Sequence, residues 1–265
     1  MVRIGAVTYL NTKPLVYRLE ELLPGARLEF DLPSRLADRL ALGELDVALI
    51  PVFEAFQHPD WFFLSDACIA CRGPVLSVKL LARRPVTEVR RVALDEGSRT
   101  SAALVKILLA KRAGVVPEFE SLPIGAGLAD TDADAVLLIG DRAIASADQG
   151  FAEVWDLGDD WNRWTELPFV FACWTAREPG DWLEVERALN RARDLGLEHA
   201  GELSESHAGY AGLTRQQVWE YFTKNLYFHF GARERRGLEL YYRYAAELAL
   251  APAGWELRHG CETVG

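Results

Sequence analysis

Cysteine is scarce. The 265 residues hold four, Cys68, Cys71, Cys173 and Cys261, too few at this length for a disulfide framework. Histidine is nearly as thin, and His58, His199, His207, His229 and His259 never fall at metal-ligand spacing. Cys68-x-x-Cys71 has no second pair to complete a zinc site, so no metal is expected. No apolar run approaches the roughly 20 residues that span a bilayer. The opening Met1-Val-Arg-Ile4 runs straight into a strand pattern, without the three regions of an export signal. These absences lead us to expect a soluble, cytoplasmic protein with no membrane partner. Positive charge is short as well. The net charge is -10, and Arg83-Arg84, Arg90-Arg91 and Arg235-Arg236 are isolated pairs. That argues against a nucleic-acid binder while leaving room for a local anion site. There is no G-x-S-x-G, P-loop or dinucleotide fingerprint, and Gly125-Ala-Gly127 lacks the third glycine, so no organic cofactor is expected.

What is present is an ordinary globular composition, 50% hydrophobic and 26% charged, enough to bury one large core or two modest ones. The first half alternates strands and helices. An apolar strand over 2–7 is followed by a helix over 14–23 with Pro14 near its first turn, where the missing N–H costs nothing. A strand over 28–32, a helix over 35–42 capped by Ser34 and ended by Gly43, and a buried strand over 46–51 follow. This spacing implies βαβ units and parallel sheet. The pattern restarts with a strand at 91–94, a helix at 101–112 and a strand at 134–140. Residues 75–82 read as a crossing strand, and 169–174 as the return. After residue 178 the pattern is helical, over 181–197, 214–224 and 234–250. The expected α/β architecture has a first lobe of 1–86 plus 175–265 and a second of 87–174. Two crossing strands join the lobes around a central cleft, a preferred place for a ligand.

Parallel α/β sheets bind ligands beyond the carboxyl ends of strands, where helix N-termini point. Three stretches meet that condition: Thr8-Tyr9-Leu10-Asn11, Asp95-Glu-Gly97-Ser98-Arg-Thr100-Ser101, and Gly140-Asp141. The second has a clear rationale for an anion. Gly97 lets the backbone approach closely, and Ser98, Thr100 and Ser101 set hydroxyls beside free amides at the positive helix end. Ser98 as a plain N-cap is the simpler alternative. Asn11 as an N-cap and Tyr9 as a wall residue are likewise the simpler readings of the first stretch. Ser77, a lone hydroxyl in an apolar run, must bond backbone or face the cleft.

Six segments taken together resemble the MqnA branch of the MqnA/MqnD family of menaquinone biosynthesis, the futalosine pathway. They are RIGAVTYLNTKPL near the N-terminus, LADRLALGELDVALIPVFE at 36–54, GPVLSVKL at 73–80, LDEGSRTSAALVKILL at 94–109, LLIGD at 137–141 and WTELPFVFACW at 164–174. They run in order over roughly the first two thirds of the chain. The resemblance implies a periplasmic-binding-protein-like type II fold and a chorismate dehydratase activity giving 3-[(1-carboxyvinyl)oxy]benzoate. Asn11 and Ser77 would then act at the reacting edge. Tyr9, Leu10, Gly97, Ser98, Thr100, Ser101, Gly140 and Asp141 would bind substrate, in a monomer or homodimer. Thr8 stands where serine is expected, and Glu166 where glycine is usual before Leu-Pro-Phe. The alternatives are a cytoplasmic, non-catalytic small-anion-binding protein and the sister enzyme acting on cyclic de-hypoxanthine futalosine. Sequences of the sister enzyme lack the Tyr-Leu-Asn turn.

Overall fold

The computed structural model describes residues 1–146 and 148–258, so His259 and Cys261 lie outside the described residues. Within them the strands are β1 (Val2–Val7), β2 (Ala26–Asp31), β3 (Val47–Pro51), β4 (Phe62–Cys71), β5 (Val78–Ala82), β6 (Arg91–Asp95), β7 (Glu118–Leu122), β8 (Ala135–Ile139), β9 (Glu153–Asp156), β10 (Phe169–Ala176) and β11 (Tyr227–His229). They form two sheets, ordered β11-β4-β10-β3-β1-β2 and β7-β6-β8-β5-β9. β3 and β8, the short apolar runs, are buried along their whole length, as strands covered on both faces must be.

Parallel pairing holds where βαβ spacing implied it, between β1 and its neighbours β2 and β3 and between β6 and its neighbours β7 and β8. The other ladders make both sheets mixed. β10 runs antiparallel between β3 and β4, and β5 antiparallel between β8 and β9. Each expected crossing strand therefore belongs to a single sheet: β5 to the second, β10 to the first. The chain passes between sheets in residues 72–77 and 166–168. We infer lobe boundaries at those two crossings rather than near 86 and 174. Apolar composition marks a buried strand but not the ladder it joins.

Tertiary packing also redraws several local elements. The expected helix over 14–23 is a tight 3-10 turn, Leu10–Val16, then a short helix, Leu19–Leu22. Its position is held by the long helix Leu183–Glu198, whose Gly196 packs directly on Pro14. A Cβ there would lie 2.1 Å from the Pro14 carbonyl oxygen. The helix after residue 32 spans Pro33–Ala41 and begins on its proline, so Leu32 rather than Ser34 precedes it. The 178–258 region is not wholly helical, because β11 pairs with the edge of β4. The last helix, Ala232–Glu247, buries Tyr241 among Phe169, Phe56 and Trp161, with ring centroids 4.9, 5.5 and 6.2 Å away.

Glu166 closes the helix Leu157–Thr165 with φ 61° and ψ 14°. That is the left-handed region, which glycine enters freely and a side chain does not. The departure from glycine seen in the sequence thus falls on a position whose backbone favours glycine. Glu166→Gly should raise unfolding stability by about 1 kcal/mol, the left-handed penalty less the added chain entropy. Urea unfolding of the two proteins checks this, and a less stable variant contradicts it.

Candidate active site

The carboxyl ends of β1, β3 and β8 converge on one cavity between the sheets. Val7, Pro51 and Ile139, the last residues of these strands, all line it. Tyr9, Asn11 and Pro33 add the rest of the first side, and Ser98, Ser101 and Gly140 face them from the second. Val75, Ser77 and Val78 come from the first crossing and the start of β5, while Ile69, Phe171 and Ala172 from β4 and β10 close the apolar wall. The enclosed volume is about 40 Å³, room for a water or two.

Tyr9 spans this cavity. A Cβ on Gly140 would lie 2.8–2.9 Å from its ring, and one on Gly97 would lie 3.4 Å from its hydroxyl. Gly140 also has φ +60°, so both its backbone and its neighbour call for glycine. Burial, reinforced by the charge of Asp95, pushes the Tyr9 phenol up to about 12. Asn11 turns its side chain to the cavity, and its Oδ1 accepts from Thr12 Oγ1 at 3.3 Å. Ser77 is buried and hydrogen-bonds the equally buried Tyr221. Its carbonyl accepts from the Gly140 amide at 2.8 Å, which carries the β5–β8 ladder one step further, to the cavity. Ser98 performs the plain capping role, its Oγ accepting from the Ser101 amide at 3.2 Å and donating to Ser101 Oγ at 3.1 Å. Both hydroxyls remain on the cavity wall at the positive end of the helix Arg99–Ile107.

Four residues expected at the ligand stand behind this wall. Leu10 is buried, and its amide donates to Asp141 Oδ1 at 3.3 Å. Asp141 also accepts from Tyr210 at 2.6 Å, and burial raises its carboxyl above the usual range. The Gly97 amide donates to Asp95 Oδ1 at 2.9 Å, and its carbonyl accepts from the Ser34 amide at 3.3 Å. Thr100 is fully buried: its Oγ1 accepts from the Phe53 amide at 3.1 Å, and its carbonyl from Tyr241 at 3.0 Å. Asp95 supports the same turn from below, paired with Arg142 and accepting from the Ile139 amide at 3.3 Å.

Among the described residues none that lines the cavity carries a charge, and Tyr9 is the one titratable side chain there. The polar groups it offers are amides, hydroxyls and the start of a helix. Sequence reading missed the apolar wall and the supports supplied by Asp156, Tyr210 and Tyr221. The C-terminal residues among these carried no local signal, because only packing brings Tyr210 to Asp141 and Tyr221 to Ser77. Cys68, Cys71 and Cys173 are free and buried, with thiols raised by desolvation, so they serve as packing. Among the described residues no three His, Cys, Asp or Glu side chains converge as a metal set, and no helix is long and apolar enough to cross a membrane.

A family model described as menaquinone biosynthesis matches residues 2–247. The chain is 33% identical over 256 residues to a chorismate dehydratase of Thermus thermophilus, covering 90% of this chain and 93% of that protein. Among solved structures, protein AF1704 from Archaeoglobus fulgidus superposes with a TM-score of 0.74 at 19% identity, over 94% of this chain and 98% of its own. The periplasmic aliphatic sulphonate binding protein SsuA from Escherichia coli gives 0.63 at 17%, over 95% and 88%. At these identities the structural likeness speaks to architecture alone, and it is the periplasmic-binding-protein-like fold that the motifs implied. With nearly the whole chain matched by one family model and a relative at one-third identity, the protein belongs to the menaquinone-biosynthesis family.

Proposed function

We propose that the protein is a chorismate dehydratase, a hydro-lyase that converts chorismate to 3-[(1-carboxyvinyl)oxy]benzoate and water. The relative named for that activity supports the substrate. The observation that carries the chemistry is the cavity lining, which offers no charged side chain. Elimination begins with loss of the ring proton at the ether-bearing carbon, acidified by the ring carboxylate through the conjugated double bond. The neighbouring hydroxyl then leaves as water, and aromatisation drives the step. A base is needed, and Tyr9, neutral until about pH 12, is a poor one at neutral pH. The substrate's own enolpyruvyl carboxylate takes the proton and hands it to the departing hydroxyl, so that water leaves and the carboxylate is restored.

The protein's part is then to bind, orient and exclude water. One carboxylate sits at Ser98 and Ser101, on the helix end. Asn11 and Ser77 hold the reacting edge and donate toward charge that develops during proton loss. Tyr9 forms the wall that fixes the ring over Gly140. A site for a small organic ligand takes roughly 300–1,000 Å³, far more than the 40 Å³ enclosed here. The lobes therefore part to admit chorismate and close over it. Leu10, Gly97, Thr100 and Asp141 shape the closed state from behind the wall.

The direct test incubates purified protein with chorismate and follows products by chromatography and mass. An aromatic product lighter by one water is expected. Unchanged chorismate with thermal stabilisation would instead indicate a binding protein.

Asn11→Ala should lower kcat about a hundred-fold, as loss of a charge-stabilising donor does, with KM changed less than about three-fold. Asp141→Asn, behind the wall, should cost under about ten-fold. If Asp141→Asn abolishes turnover in a folded protein, a protein base replaces the substrate-assisted account.

With the Tyr9 phenol raised rather than lowered, its neutral form persists through the whole neutral range. The substrate carboxylates are already ionised there. Turnover at saturating chorismate should accordingly be flat between about pH 7 and 9. A limb inside that window would report an essential protein acid or base.

A further inference from the structure

The first crossing carries Ser77 into the cavity along a backbone that does not rest there unaided. Leu76, immediately before it, has φ 62°, a conformation that a side-chain-bearing residue holds only when its surroundings over-determine it. The restraint is Asp156, the last residue of β9. Its Oδ2 accepts from the Leu76 amide at 2.7 Å and its Oδ1 from the Val75 amide at 2.9 Å. The same Oδ1 caps the helix Leu157–Thr165, accepting from Gly158 and Asp159 amides at 3.1 Å each. The helix start is pressed onto the crossing: a Cβ on Gly158 would fall 2.5 Å from Cys71 Sγ and 2.9 Å from the Gly73 carbonyl. From the other side Asn225 Nδ2 donates to the Pro74 carbonyl at 2.9 Å.

We propose that Asp156 is a positioning residue for the dehydration, holding the left-handed Leu76 turn so that Ser77 Oγ points at the substrate. This rests on the chorismate reading above. Asp156 lies outside the cavity and meets no substrate atom; it acts through two backbone amides. The division of labour between its oxygens makes the role separable from capping. Among the described residues Leu76 alone occupies Oδ2, whereas the cap and Val75 share Oδ1. In Asp156→Asn the remaining side-chain oxygen still caps well, but an amide N–H now meets the Leu76 N–H. The clamp fails while the helix start survives.

The test is a double-mutant cycle on the full chain with Asp156→Asn and Ser77→Ala. Asp156→Asn should lower kcat about ten- to a hundred-fold with KM within about three-fold. In the Ser77→Ala background it should cost less than about two-fold more, because the group it positions is gone. Equal cost in both backgrounds would make Asp156 a general structural residue, and an unchanged kcat would dismiss it altogether. Amide hydrogen exchange supplies a readout that needs no turnover. Residues 75–77 should exchange faster in Asp156→Asn while the rest of the protein keeps its protection. Unchanged exchange at 75–77 would overturn the clamp. If wild-type protein leaves chorismate untouched, the functional reading falls and takes the catalytic role with it, and exchange still decides the clamp. Should Asp156→Asn fail to fold, Asp156→Ser keeps a capping oxygen, loses the reach to Leu76, and carries the same expectations.

Discussion

Thr100 is the point on which the closed cleft hangs. Its hydroxyl and carbonyl are both buried and both bonded to elements packed on the first sheet, the Phe53 amide and the Tyr241 hydroxyl. Away from water such groups must be partnered, since an orphaned one costs about 1–3 kcal/mol. The helix Arg99–Ile107 therefore starts where those partners are, with its capped end turned to the cavity. Gly97 completes the seam by accepting from the Ser34 amide. Residues that sequence reading set at the ligand thus build the contact that brings the ligand's two walls together.

The resulting cavity has neutral walls, which is unusual for the doubly charged substrate proposed for it. The charged side chains behind these turns are already engaged. Asp95 is paired with Arg142 under the 95–97 turn, and Arg99 reaches away to Asp38 and Glu54. Fixed dipoles cost no reorganisation when charge moves. In the proposed dehydration they leave proton transfer to the substrate. Under the proposed function, a neutral cleft and a substrate that bears its own base are consistent with one another. Positioning then becomes the protein's main contribution, and supports such as Asp156 and Tyr221 become as consequential as the groups they hold.

Much of this was legible along the chain. Short apolar runs such as Val47–Pro51 and Ala135–Ile139 declare buried strands, and the turns after them declare ligand-side loops. Tyr9, Asn11, Ser77, Ser98, Ser101 and Gly140 are drawn from four separate stretches, and all reach one cavity. The long β4 escaped notice because Phe62–Cys71 lacks the alternation that marks a half-exposed strand. The short β11 escaped because three residues between helical stretches carry too little pattern to read. Glu166 was visible as a departure from the family's glycine, yet its left-handed backbone could not be read from the letter.

By itself the sequence determined the elements that need only local information: apolar periodicity, the serine cap at residue 98, and the motifs that place the chain in its family. It also placed Tyr9, Asn11, Ser77, Ser98, Ser101 and Gly140 among the cavity's candidates, because the turns after strands can be read locally. Tertiary structure decided which ladder β5 and β10 join, which hydroxyls face the cavity and which brace the seam. It also decided that an acid at residue 156 holds a turn eighty residues before it. These outcomes depend on backbone amides and carbonyls finding partners across the fold, and every residue type carries the same amide and carbonyl, proline's missing N–H apart.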